Sequence, residues 1–165
     1  MTSSIRSTAR PNWDETWLSV ARTIARRSLC SRDQVGAVVV SATNRLLETG
    51  YNGPPAGFQT DLQPCTEWCV RAMTSSIEAG YTDCPSLHAE ANALMRGDRI
   101  AREGGTIYIT SGVCFGCAKL IANSGLTMVV VDGASVSLNQ HRNSEKSYTF
   151  LERCGITVIT DVSTR

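Results

Sequence analysis

The stretch 106–132, "TIYITSGVCFGCAKLIANSGLTMVVVD", decides the fold. Its two ends, "TIYIT" (106–110) and "TMVVVD" (127–132), are short runs rich in β-branched residues, the composition of strands. The middle, 114–124, fits a helix. Elements alternating in this way imply a sheet with parallel strands and helices laid on its faces.

The alternation continues on both sides. A helix fits 87–97, ended by Gly97, and another fits 143–153, followed by a last strand, "ITVIT" (156–160). Earlier, "VGAVVV" (35–40) and "RLLETGYN" (45–52) read as two strands joined by the turn "SATN", a hairpin that makes the sheet mixed. Residues 13–29 read as an amphipathic helix, with Trp13, Trp17, Val20, Ala21, Ile24 and Ala25 on one stripe. Asp14 and Glu15 suit its start, and Arg26 and Arg27 its end. The expected architecture is α/β: three layers, with a five-stranded mixed sheet between helices. Residues 13–165 read as a single domain and 1–12 as a flexible N-terminus. The stretch 59–85 has little periodicity and holds three cysteines; an irregular segment that long inside a domain needs a tether or a function.

Composition narrows the function. The chain has 165 residues, 42% of them hydrophobic, and a formal net charge of +1. That charge argues against an electrostatic grip on long nucleic acid. Its apolar runs fall short of the length a membrane helix needs, and the N-terminus lacks the apolar core of a secretory signal. The expected location is the cytoplasm. Seven cysteines without a secretory signal point to metal binding or catalysis rather than to disulfides.

The chemistry gathers at two places. Cys114 and Cys117 have CxxC spacing, follow a strand and fall on the first turn of the next helix, where unpaired N–H groups and the helix dipole favour thiolates. His88, one of only two histidines, sits at an earlier helix start in "SLHAEANAL" (86–94). Neighbouring parallel strands would bring the two helix starts side by side. One imidazole and two thiolates are good zinc ligands, and three of them leave a fourth position open, as at a catalytic zinc. Glu90 lies two residues from His88, so it need not bind the metal and can move a proton between water and substrate. His141 defaults to a surface loop.

His-x-Glu on one helix start and CxxC on the next resemble the signature of the zinc nucleobase deaminases. "ARRSLCSRDQVGAVVV", "GYNGPPAGF", "HAEANAL" and "CFGCAKLIANSGL" resemble, in order and spacing, the deoxycytidylate (dCMP) deaminase branch. The resemblance runs from about residue 20 to about residue 160. It implies a cytidine-deaminase-like fold, a zinc cofactor on His88, Cys114 and Cys117, and Glu90 as the proton carrier. It implies hydrolysis of dCMP to dUMP and ammonia, with Asn52 beside the sugar and the backbone of Ala89 facing the base. It also implies a homo-oligomer, often a hexamer, that responds to dCTP and dTTP. Arg27 and Ser28 are the residues to test for the phosphate; their other reading is a solvated helix end. One departure stands out: the family has proline before the first cysteine, and here the residue is Val113. Zinc binding is expected to survive that change.

Cys30, Cys65, Cys69 and Cys84 make a second set, and four thiolates can close a structural zinc site. Similar cysteines in bacterial and phage relatives are associated with a second zinc. Their other reading is small buried apolar residues. Cys154 is read as ordinary helix packing. Two rival functions remain: a deaminase of another substrate (a nucleoside, a 5-substituted dCMP, guanine or a base in nucleic acid), and a zinc module without catalysis.

Overall fold

In the computed structural model, residues 10–58, 63–73, 84–133 and 144–162 are described. The expected flexible N-terminus lies outside them up to residue 9, as do His141 and much of the irregular stretch. Five strands form one sheet: β1 Gly36–Val40, β2 Leu46–Tyr51, β3 Thr106–Ile109, β4 Met128–Val131 and β5 Thr157–Ile159. Their order is β2-β1-β3-β4-β5. β1 runs antiparallel to both β2 and β3, whereas β3, β4 and β5 are parallel. The hairpin therefore makes the sheet mixed, as its turn residues require; Asn44 takes the left-handed conformation there, at φ 60°.

Helix α1 (Trp13–Ala25) covers one face. Helices α3 (Ala89–Arg96), α4 (Phe115–Ala122) and α5 (Ser144–Arg153) cover the other; a single turn, α2 (Val70–Met73), lies in the irregular stretch. Because successive strand residues point to opposite faces, β1 feeds two cores. Val38 and Val40 meet Leu18 and Ala21 of α1, and Ala37 and Val39 join Ala89, Ala93, Ile121 and Leu151 on the far side. The chain is thus the expected three-layer sandwich. No helix among the described residues is long and apolar enough to cross a membrane.

Two glycines set the distance of the layers. A side chain at Gly36 would meet the carbonyl of Ala21, and one at Gly50 the carbonyl of Ala89. Backbone of α1 and of α3 can therefore rest directly on the sheet.

Three local expectations change. Helix α1 begins in a capping box, with Asn12 Oδ1 accepting from Glu15 N at 2.8 Å and Glu15 Oε2 accepting from Asn12 N at 3.0 Å. It ends at Ala25 instead of 29, because the Ser28 hydroxyl is drawn to the Asn52 carbonyl at 2.7 Å and the chain turns away. Second, β2 and β3, which precede α3 and α4, run in the same direction but are not neighbours: β1 lies between them. Third, Cys154 is exposed, because α5 stops at Arg153 and the chain turns at Gly155, at φ 80°.

Candidate active site

His88 is the N-cap of α3, and its side chain makes no capping bond to its own helix. The ring turns instead to the start of α4, where Cys114 is the N-cap and Cys117 lies on the first turn. His88 Nδ1 stands 3.3 Å from Cys114 Sγ and 3.4 Å from Cys117 Sγ. Zinc–nitrogen and zinc–sulfur bonds of about 2.1 and 2.3 Å, meeting at the tetrahedral angle, place N and S about 3.6 Å apart. The observed separations fit that spacing, and the mixed imidazole–thiolate donor set suits zinc. Among the described residues this is the only group of three or more metal-ligating side chains whose donor atoms all lie within 4.8 Å.

The electrostatics of the two thiols differ. Cys114 Sγ accepts from Cys117 N at 3.4 Å. Hydrogen bonding from Cys117 is the main influence that brings the Cys114 thiol down to about 3, with His88 acting the same way against burial. Cys117 is pushed well above its ordinary range, first by the hydrogen bond to Cys114, then by burial, with the Glu90 charge adding to both. The pair by itself favours one thiolate, on Cys114; a divalent ion would stabilise two.

Glu90, on the first turn of α3, is 1% exposed. A carboxylate this buried needs a reason, and the donor group beside it supplies one. Ala89, between His88 and Glu90, is fully buried against β2. Val113, which replaces the family proline, is fully buried in the core under α3 and α4. There it anchors the approach to Cys114 by packing, where proline would do so by fixing φ.

The remaining predicted residues lie in the loop between α1 and β1 and at the end of β2. Asn52 Oδ1 accepts from Val35 N at 2.8 Å, and its Nδ2 donates to the Asp33 carbonyl at 2.8 Å, which pins the loop between α1 and β1 to the end of β2. One Nδ2 hydrogen is left over by those bonds. Ser28 is 3% exposed; its hydroxyl donates to the Asn52 carbonyl and accepts from Cys30 N at 3.2 Å. It is a loop tether. Arg27 is exposed at the same turn.

Sequence reasoning missed Tyr148. Its hydroxyl is buried beside Gly112, at the loop leading to Cys114. Burial pushes its phenol up, and the Glu90 charge pushes the same way. The signal was present: Ser144, Ser147, Tyr148 and Leu151 recur at helical spacing and mark the inner face of α5.

The second cysteine set is gathered in pairs. Ser31 N and Oγ lie 3.1 and 3.3 Å from Cys65 Sγ, and Cys65 also acts on the neighbouring Cys30 thiol. Cys69 Sγ lies 3.8 Å from Cys84 Sγ. The four sulfurs do not close into one compact group.

This fold and site define a zinc-binding deaminase domain. The chain belongs to the cytidine and deoxycytidylate deaminase family, whose zinc-binding region matches residues 11–132. Deoxycytidylate deaminase of Mycobacterium phage D29 is 43% identical over 128 residues, spanning 74% of this chain and 95% of that protein. Human deoxycytidylate deaminase is 34% identical over 118 residues, but the chain spans only 63% of its length. The crystal structure of dCMP deaminase from cyanophage S-TIM5, in complex with dCMP and dUMP, superposes with a TM-score of 0.65 at 27% identity, covering 91% of this chain and 97% of that one.

Proposed function

We propose that the chain hydrolyses dCMP to dUMP and ammonia, and so supplies dUMP for thymidylate synthesis. The observation that carries this reading is the meeting of His88, Cys114 and Cys117 at one point, with a buried carboxylate, Glu90, two residues from the imidazole. The relatives named deoxycytidylate deaminase give the substrate.

His88, Cys114 and Cys117 would hold a zinc ion, which would supply a nucleophilic water at neutral pH. Glu90 would take a proton from the water that attacks C4 of cytosine and deliver it to ring N3. It then serves the departing amino group, which leaves as ammonia, so that one water is consumed and one ammonia released. Burial of Glu90 keeps bulk water from competing for the proton. The Ala89 backbone faces the base, and the spare Asn52 Nδ2 hydrogen reaches the sugar. Arg27 is the cation offered to the phosphate; the Ser28 hydroxyl is already engaged in the loop.

The deciding experiment is ammonia release from dCMP, CMP, deoxycytidine, dCTP, 5-methyl-dCMP and guanine. Preference for dCMP supports the reading, and turnover of deoxycytidine alone overturns it. Cys30, Cys65, Cys69 and Cys84 are proposed to close around a second, structural zinc, favoured by their pairing and by the Ser31 donors on Cys65. A second equivalent of zinc per chain, lost on Cys69→Ser, is the expected result. A cytoplasmic homo-oligomer that responds to dCTP and dTTP completes the proposal; activity assays with each nucleotide test the response.

A further inference from the structure

The two helices whose N-termini carry the metal ligands also share a partner at their other ends. Arg102, in the connection from α3 to β3, is 9% exposed. Its Nη1 donates to the carbonyl of Leu94, in the last turn of α3, at 2.7 Å. Its Nε donates to the carbonyl of Ser124, just beyond α4, at 3.2 Å. The C-cap of α3, Gly97, has φ −92° and ψ 157°, so it does not fold back in the left-handed form that ends many helices, and the last carbonyls need other donors.

A buried guanidinium needs negative charge nearby; no carboxylate among the described residues is within salt-bridge distance of Arg102, and the Glu48 carboxyl shares with it the space beside Gly97. The C-terminus of α3, equivalent to about half a negative charge, the Ser124 carbonyl in the turn after α4, and the Glu48 carboxyl beside Gly97 together offset the guanidinium. Both carbonyl bonds hold only while the two helices converge on the same side chain. A planar fork with donors in two directions can hold two carbonyls at fixed spacing; an ammonium on a flexible stem is a poorer substitute. Each helix has eight residues, about 12 Å of rise, so a tilt at one end is carried to the other. At that other end the His88–Cys114 and His88–Cys117 separations must stay near those of a tetrahedral ion.

We infer that Arg102 is a positioning residue for the metal centre: by tying the last turn of α3 to the turn that follows α4 it sets the spacing of His88, Cys114 and Cys117 at the N-terminal ends of the two helices. The inference rests on the zinc reading of that centre.

The test compares full-length Arg102→Met and Arg102→Lys with wild type and with Leu18→Ala, a core truncation under α1 on the opposite face of the sheet. Zinc affinity is measured by competition with a chelator, and ligand geometry by the visible spectrum of the cobalt-substituted protein. We expect R102M to bind zinc about tenfold more weakly, with changed cobalt bands, and kcat to fall further than KM rises. R102K is expected to fall between R102M and wild type. L18A should lose thermal stability while keeping wild-type zinc affinity and cobalt bands. Folded R102M with wild-type affinity and bands overturns the inference. So does L18A matching the R102M loss of affinity, since stability alone would then explain it. If R102M does not fold, R102K decides, and wild-type values there are equally fatal. Failure of the wild-type protein to bind zinc would sink the zinc reading itself, a distinct result.

Discussion

Exchange of one oxygen for nitrogen at Glu90 separates proton transfer from metal binding. Glu90→Gln keeps the shape and burial of the side chain, so ammonia release is expected to fall at least about 10²–10⁴-fold, the usual share of general acid–base catalysis. Elemental analysis of the same variant should find its catalytic zinc intact; loss of metal from folded protein would show that Glu90 ligates the ion. The thiol pair makes a second prediction. Cys114 ionises at about 3 while Cys117 is held protonated. At neutral pH the apo-protein therefore already carries one thiolate, and zinc uptake should release about one proton from the pair. Below about pH 3 Cys114 must also give up a proton, so affinity falls more steeply there. The difference in ultraviolet thiolate absorbance between metal-free wild type and Cys114→Ser at pH 7 checks the assignment; no difference would contradict it. The positions of His88, Cys114 and Cys117 at helix starts were legible in the sequence because each depends on a short local pattern, and the structure brings the three together. Ser28 was not, because its partner, the Asn52 carbonyl, lies 24 residues away. Cys154 reads as helix packing from its place beside the helix 143–153, but it lies just past the last turn and is exposed.

At the scale of elements, the glycines under the helices control the two faces independently. Gly50→Ala would drive a methyl group into the Ala89 carbonyl and lift the start of α3 from β2. Overpacking of this kind costs about 1–3 kcal/mol. Because His88 adjoins Ala89, zinc affinity should fall along with the melting temperature. Gly36→Ala makes the same kind of collision with Ala21 under α1, so it should lower the melting temperature and spare zinc affinity. Parallel melting and metal titrations of the two variants check the contrast. Element identity was readable from the alternation of apolar runs, and every strand boundary fell within a residue or so of its expected place. Strand adjacency was not readable. Nothing in "VGAVVV" states that β1 inserts between β2 and β3; that follows from its pairing on both sides, which is a property of the sheet.

For the whole molecule, the two most exposed large apolar residues among those described, Met95 and Ile100, lie at the end of α3 away from the metal ligands. Met95 is 73% and Ile100 80% exposed, and Leu46, at the matching end of β2, is 50% exposed. Large apolar side chains so placed favour burial against another copy. Light scattering is expected to give a mass several times that of the chain, and Met95→Glu with Ile100→Glu to shift it toward smaller species; an unchanged mass would place the contact elsewhere. The three-layer architecture was legible as a class, whereas the pairing of the second cysteine set was not, because it depends on how the irregular stretch returns to the α1–β1 loop. The ligands of the first set are themselves 26 residues apart, on helices that meet only once β1, β2 and β3 are assembled. An unfolded chain can offer zinc the CxxC pair but not the imidazole beside it. At about 1,000 times the dissociation constant, an ion that prefers the folded form adds about 4 kcal/mol to its stability. Scarcity of the trace element would then shorten the lifetime of the polypeptide against proteases as well as silence it, so that cellular supply sets its abundance.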